Sequence, residues 1–257
     1  MNYWQERALA IQAEARDLAL TTELRLQRVY EKNLRESLKS YNKLVKDVPD
    51  IKVAYRTDRR FRVAYDRLAA NIVQSLEHCS SIVDKDTLAL LVNVYKTTAI
   101  EYGYQSFSLL NTKAIEQIVK KPWCSDGLIF SDRIWKNTDK LKAKLSDTML
   151  SSVVKGESIQ KTAKEVQKTF GVSLGQAKRL VRTETAAIYT EAALDSYSNT
   201  DIEYYEIIGD ADCGNTGVCP IGEIFRVDEA GSHDTPPFHP NCKCCIAPVP
   251  NYVAQGY

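Results

Sequence analysis

Five cysteines lie close together near the C-terminal end of the chain, and their types and spacing suit metal chemistry. They are Cys213, Cys219, Cys242, Cys244 and Cys245, with His239 just before the last three. Thiolate and imidazole are ligands that zinc prefers, and a structural zinc site needs four of them. We predict a zinc site in which Cys213 and Cys219 form one half and His239 with Cys242 or Cys244 forms the other. If this last stretch is extended, Cys242 and Cys244 point to one face and Cys245 to the opposite face.

Two other interpretations of these cysteines stay open. The thiols could pack beneath a hairpin, or they could pair as disulfides in an oxidising environment. Five residues separate Cys213 from Cys219, whereas tight zinc motifs use about two to four. Under the zinc or the disulfide interpretation, Cys213 and Cys219 should converge with Cys242 and Cys244, because a segment with few large apolar residues needs a cross-link.

Catalysis by a cysteine would require a positioned base beside it. The nearby imidazoles are His239 and His233, and His233 lies in a Gly-Ser-His-Asp segment typical of an exposed loop. His78 is expected on a helix surface, and Cys79 and Cys124, which stand alone, are expected to be buried as small apolar residues. The sequence has no Gly-rich phosphate loop and no His-Glu-x-x-His motif. We predict that the chain is not an enzyme.

The elements that must position the cluster follow from the apolar spacing. The fold is predicted to be mainly α, with a long helical body followed by a small cysteine-containing α+β or β-hairpin module. The predicted helices cover residues 18–45, 61–79, 86–120, 131–155, 159–170 and 174–197. Asp84 or Asp86 is the expected cap of the third helix, and Gly171-Val172-Ser173 is the expected turn between the last two. The predicted strands cover residues 203–208, 223–227 and 245–249.

Charge and composition also separate the C-terminal module from the body. Residues 1–200 contain 32 bases and 24 acids, whereas residues 201–257 contain two bases and nine acids. We divide the chain into an N-terminal helical region (1–122), a second helical region (123–198) and the Cys/His module with its tail (199–257). No stretch approaches the roughly 18 apolar residues of a membrane span. The charged first residues lack the apolar core of a signal peptide, so we predict synthesis in the cytosol and no membrane partner.

The basic body raises the alternative of a zinc-stabilised nucleic-acid-binding protein. The two helices predicted around Gly171 resemble a helix–turn–helix pair, which would place Lys178, Arg179 and Arg182 near a groove of DNA. Two helices joined by a glycine-containing turn are also common in helical domains without DNA. The bases alternate with acids along the helices, which favours a solvated surface.

Several motifs, taken in order, resemble a known family. The stretch Arg182-Thr183-Glu184-Thr185-Ala186 is followed by a helix, a strand, cysteines, Gly222-Glu223-Ile224-Phe225 and a segment that runs from Pro236 to Cys244. This order resembles the head-morphogenesis domain of phage Mu F-like minor head proteins. The opening Tyr3-Trp4-Gln5-Glu6-Arg7 and the stretches 123–127 and 130–137 are similar to minor head proteins of phages of Gram-positive hosts. The family usually has Cys-x-x-Cys where this chain has the longer spacing from Cys213 to Cys219.

The resemblance implies a minor capsid protein present in few copies, associated with the portal vertex. It implies a role in procapsid assembly and in DNA packaging or ejection, without catalysis. The implied partners are the portal protein, scaffold and major capsid proteins, with a weak DNA contact. The implied location is the virion, at the portal vertex or inside the capsid, and the host cytoplasm during assembly.

Overall fold

Six helices precede a small sheet in the computed structural model, which describes residues 1–103, 112–124, 126–209, 213, 218–231 and 234–250. The helices are α1 (Tyr3–Val45), α2 (Ile51–Thr57), α3 (Arg59–Glu101), α4 (Thr112–Val119), α5 (Phe130–Lys155) and α6 (Ile159–Ser198). The strands are β1 (Tyr204–Ile208), β2 (Ile224–Arg226) and β3 (Cys245–Pro248). Helix accounts for 72% of the described residues, so the predicted fold class is confirmed, and each strand falls where the sequence predicts one.

The chain forms two compact units, each built from separate stretches of sequence. Unit 1 comprises Met1–Thr22, Asp86–Phe130 and Arg179–Tyr257, and it contains the sheet and the cysteine cluster. Unit 2 comprises Glu23–Lys85 and Ser131–Lys178 and is helical. The division of the sequence at residues 122/123 and 198/199 stays a prediction.

Helix α1 begins at Tyr3, fifteen residues before the predicted start at Leu18. Two reciprocal hydrogen bonds close its first turn: Gln5 N–H donates to Asn2 Oδ1 (2.9 Å), and Asn2 N–H donates to Gln5 Oε1 (2.8 Å). This arrangement satisfies backbone donors that a helix start leaves free. The first turns bury mostly small residues, among them Ala8, Ala15 and Ala19. The prediction missed them because alanine contributes little to an apolar stripe.

The prediction of two helices in the region of α3 is wrong. One helix runs from Arg59 to Glu101, so neither Asp84 nor Asp86 caps a helix. Within unit 2, Asp84 Oδ2 accepts hydrogen bonds from Ser131 Oγ (3.1 Å) and Trp135 Nε1 (3.3 Å) on α5. The polar residues that suggested a break therefore make tertiary hydrogen bonds. The predicted third helix extends to residue 120, and its residues 104–111 lie outside the described residues.

The predicted turn at Gly171-Val172-Ser173 is also wrong, because α6 is continuous from Ile159 to Ser198. Phe170 and Ser173 are both buried, and Tyr30 and Ser173 share a hydrogen bond of 2.9 Å between their hydroxyls. Packing on both sides of Gly171 holds the helix in register. Without a turn there is no helix–turn–helix pair, so the proposed groove-reading placement of Lys178, Arg179 and Arg182 is withdrawn.

Replacing Gly171 or Gly175 with alanine tests this continuity. Both glycines are exposed in α6, and a Cβ added at either would have no atom within 4 Å. Each change should raise the free energy of unfolding by about 0.5–1 kcal/mol, because alanine favours helix and restricts the unfolded chain. Urea unfolding measures the change. Gly156→Ala is the control, since Gly156 has φ of +74° and should lose stability instead. A loss of stability in the Gly171→Ala variant would instead indicate that the chain turns at this position.

The three strands form an antiparallel sheet in the order β2-β1-β3. Alternation along β1 buries Tyr205 and Ile207. These two side chains pack in one cluster with Ala193 and Tyr197 of α6 and with Ile246 of β3. The Tyr197 hydroxyl donates a hydrogen bond to the Ile246 carbonyl oxygen (3.3 Å). The sheet and the end of α6 thus share one core within unit 1.

Candidate metal centre

The sheet register brings the cysteine-bearing loops to one edge. Strand β1 ends at Ile208, which pairs with Cys245 at the start of β3. The segment that follows β1 carries Cys213 and Cys219, and the segment that precedes β3 carries His239 and Cys242. Antiparallel pairing places the end of one strand beside the start of the other. Both segments therefore lie at the same end of the β1–β3 pair.

Four ligand atoms converge there. The Sγ atom of Cys213 lies 3.9 Å from Sγ of Cys219, 3.8 Å from Sγ of Cys242 and 3.5 Å from Nε2 of His239. The Sγ atoms of Cys219 and Cys242 are 4.0 Å apart. All four ligand atoms lie within 4.8 Å of one another. The predicted convergence of both halves is therefore present in the fold.

These separations fit a tetrahedral metal site and not disulfides. A zinc ion about 2.3 Å from each sulfur and about 2.0 Å from the imidazole nitrogen would hold sulfurs about 3.8 Å apart and sulfur and nitrogen about 3.5 Å apart. A disulfide needs sulfurs about 2.05 Å apart, and all seven cysteines are free thiols. The donor set of three thiols and one imidazole is also one that structural zinc sites use.

The second ring nitrogen of His239 has a backbone partner. The Nδ1 atom lies 3.0 Å from the Pro240 carbonyl oxygen. If Nδ1–H donates to this carbonyl, the neutral ring presents the lone pair of Nε2 to the three sulfurs. Histidine ligands of metals usually have a partner of this kind, which fixes the tautomer and the ring orientation.

Cys244 lies beside the four-residue set as a neighbour of Cys213. Its thiol donates a hydrogen bond to Sγ of Cys213 (3.6 Å), and the backbone N–H of Lys243 donates to the same sulfur (3.2 Å). A Cβ added at Gly209 would lie 2.8 Å from Sγ of Cys244. Of the two cysteines that the sequence offered for the second half, the geometry favours Cys242 as a ligand and Cys244 as a hydrogen-bond donor.

Hydrogen bonding among the thiols separates their acidities. Interaction with the neighbouring Cys244 thiol lowers the pKa of Cys242 to about 5, and interaction with Cys242 raises the pKa of Cys244. Burial raises the pKa of Cys219 to about 12.

Cys245 is not one of the converging residues, which agrees with the alternation predicted for this stretch. It is buried, and burial raises its pKa to about 12.

The other candidate residues lie elsewhere. Cys79 is buried as predicted, and His78 is exposed on α3. Cys124 is half-buried, not buried, and its thiol donates to Asp126 Oδ1 (2.9 Å). His233 lies outside the described residues.

Thr183 and Gln12 hold the cysteine-bearing loop in place, although neither was predicted to contact the cluster. Asn241 N–H donates to Thr183 Oγ1 (3.2 Å) on α6, and Asn241 has a positive φ of 59°. Gln12 Nε2 on α1 donates to the Cys244 carbonyl oxygen (2.9 Å). Thr183 belongs to the Arg-Thr-Glu-Thr stretch that carried the family resemblance, which was the available signal. No signal in the sequence pointed to Gln12, because a glutamine in a helix is ordinarily exposed.

The segment that holds this geometry also carries the family match. A family model described as phage Mu protein F like protein matches residues 143–247. Residues 143–247 are therefore similar to the phage Mu F-like family. The resemblance inferred from the motifs is confirmed over this segment, which makes up about two fifths of the chain. The match covers the second half of α5, all of α6, the cysteine cluster and most of β3.

Neither curated proteins nor solved structures include a significant match to the chain. Within the described residues, no helix combines the length and apolar character that crossing a bilayer requires. The family match is therefore the comparison on which functional inference rests.

Proposed function

We propose that the chain is a minor capsid protein of a tailed phage or prophage that associates with the portal vertex. It acts there in procapsid assembly and in DNA packaging or ejection, and it performs no catalysis. The observation that carries this proposal is the phage Mu F-like match over residues 143–247. The long helices of the body suit the role, because they present extended faces for docking.

The partners proposed for this role are the portal protein first, with scaffold and major capsid proteins around it. The protein would be made in the host cytoplasm and would end in the virion, at the portal vertex or inside the capsid. Its C-terminal module would provide a stable, compact attachment.

We also propose that this module holds one structural zinc ion through Cys213, Cys219, His239 and Cys242. The support is the agreement of four interatomic distances with a tetrahedral site. The ion would serve folding, since a module with a small core gains stability from a cross-link between its two loops. No step of chemistry is assigned to it.

Co-expression with the portal protein of the same genome tests the portal proposal. We expect the chain to elute with portal oligomers in size-exclusion chromatography and to co-sediment with procapsids. A portal protein from an unrelated phage is the control and should not retain the chain. Capsids that assemble, package DNA and infect normally after deletion of this gene would contradict the proposed role.

A further inference from the structure

The corner between α2 and α3 in unit 2 carries a dense set of arginines. Five of them lie within twelve residues and all are exposed: Arg56, Arg59, Arg60, Arg62 and Arg67. Arg56 lies in the last turn of α2, and the others lie in the first turns of α3. We call this set the arginine corner. Exposed positions elsewhere in unit 2 use lysine more often, as on α5 with Lys136, Lys140 and Lys144.

The four arginines of α3 lie on one side of that helix. At about 100° per residue, positions 59, 60, 62 and 67 fall within an arc of about 160°. The aromatic residues Phe61 and Tyr65 occupy the other side, with ring centroids 6.1 Å apart, and Tyr65 is buried. Arg59 and Arg67 are eight residues apart, so their backbones are separated by about 12 Å along the helix.

The carboxylates within the corner accept hydrogen bonds from neutral donors. Asp58 Oδ1 accepts hydrogen bonds from Arg60 N–H (2.8 Å) and Phe61 N–H (3.3 Å), and Asp50 Oδ1 accepts one from Val53 N–H (3.0 Å). Asp66 Oδ1 accepts a hydrogen bond from the Tyr55 hydroxyl (2.7 Å). Among the residues that the structure describes, no ion pair joins any of the five arginines to a carboxylate. Their guanidinium groups are therefore available to an external anion.

The corner is also held in a defined shape, as a binding surface requires. The Tyr55–Asp66 hydrogen bond ties α2 to α3. The Tyr65 hydroxyl donates to the Met149 carbonyl oxygen on α5 (3.1 Å) and shares a second hydrogen bond with Ser152. Tyr55 and Tyr65 pack edge to face with ring centroids 5.7 Å apart. Little order has to be gained when a ligand binds to such a surface.

We infer that the arginine corner binds the phosphate backbone of double-stranded DNA without reading its sequence. Guanidinium groups match phosphate oxygens with two parallel hydrogen bonds, which favours arginine over lysine at such a surface. Duplex DNA carries one charge about every 1.7 Å along its axis, so a row of about 12 Å spans several phosphates. Single strands are usually bound by exposed aromatic rings, whereas Phe61 and Tyr65 turn toward the interior of unit 2. The inference is independent of zinc and of the portal.

A charge-matched pair of triple variants tests the inference. The first is Arg59→Gln with Arg60→Gln and Arg62→Gln; the control is Lys136→Gln with Lys140→Gln and Lys144→Gln, which removes equal charge from exposed positions of α5. Fluorescence anisotropy would follow binding to a labelled duplex of about 30 base pairs between about 50 and 200 mM salt. We expect the arginine variant to bind at least about tenfold more weakly at low salt. The slope of the logarithm of its affinity against the logarithm of salt concentration should correspond to about three fewer phosphate contacts. The lysine variant should bind nearly as the unaltered chain does.

Three results would overturn the inference. The unaltered chain could fail to bind duplex DNA, or the two variants could lose affinity equally, which would indicate a general effect of net charge. The chain could also bind poly-glutamate as tightly as DNA, which would favour an acidic protein surface, to which exposed Val53 and Val63 would add apolar contacts. Thermal midpoints within about 2 °C of that of the unaltered chain would show that both variants keep their fold.

Discussion

Replacing Cys242 with serine is expected to reduce bound zinc from about one ion per chain to a small fraction of that. Serine is a poor zinc ligand, and Cys242 is buried within 4.0 Å of two other thiols. Losing a structural metal is among the largest effects that a single change produces, so the C-terminal module should lose about 4 kcal/mol or more of local stability. Elemental analysis measures the metal, and hydrogen exchange of β1 and β3 amides measures the loosening.

Two other cysteine-to-serine changes make this test specific. Cys124→Ser removes a thiol outside the cluster and should leave both zinc content and exchange unchanged. Cys244→Ser removes the hydrogen bond to Cys213 but no ligand of the four-residue set. It should keep one zinc ion per chain with an affinity about 10–100-fold lower, as for other residues that support a ligand.

Two outcomes would contradict the zinc proposal. Freshly purified chain could contain no zinc under reducing conditions, or its intact mass could show disulfides among these cysteines. Retention of zinc by Cys242→Ser with loss of zinc in Cys244→Ser would exchange the roles of the two residues. Treatment with a chelator should loosen the sheet before the helices of unit 2, since the proposed metal would join only loops of unit 1.

The strands and the cysteine cluster could be predicted because their signals are local. Short β-branched and aromatic runs marked the three strands. Alternation alone placed Cys242 and Cys244 on one face and Cys245 on the other. Alternation could not decide which of the two thiols would be the ligand of a bound metal. That choice depends on the position of Cys213, which lies 3.8 Å from Cys242 and 3.6 Å from Cys244 and accepts a hydrogen bond from the latter.

Errors in the helical body came from polar residues and glycines that tertiary packing accommodates. Ser80 accepts a hydrogen bond from Thr138 Oγ1 (2.8 Å), and Asp84 accepts from two residues of α5. In isolation such residues indicate a helix end, because they compete for backbone hydrogen bonds. Gly171 likewise suggests a turn until its neighbours Phe170 and Ser173 are seen to be buried. Sequence spacing does not contain these long-range partners.

Replacing Tyr205 with alanine is expected to lower the free energy of unfolding of unit 1 by about 3–5 kcal/mol. Tyr205 lies in the central strand β1 and is fully buried. Its ring stacks on Phe225, with centroids 5.9 Å apart, and its hydroxyl donates to the Asp234 carbonyl oxygen (3.1 Å). Truncation would leave a cavity between the sheet and Tyr197 of α6. Denaturant unfolding measures the loss in free energy, and hydrogen exchange of the β1 and β3 amides shows where the structure loosens.

Tyr204→Ala is the matched control, because the neighbouring tyrosine lies on the opposite face of the same strand and is half-buried. It should cost less than about 1 kcal/mol. Tyr205→Phe separates packing from hydrogen bonding, and loss of the bond to Asp234 should cost about 1 kcal/mol. A one-residue shift of β1 would exchange the two faces, so a larger loss for Tyr204→Ala than for Tyr205→Ala would show that the register is wrong. Because β1 also fixes where the loop of Cys213 begins, Tyr205→Ala should weaken zinc binding as well, whereas Tyr204→Ala should leave it intact.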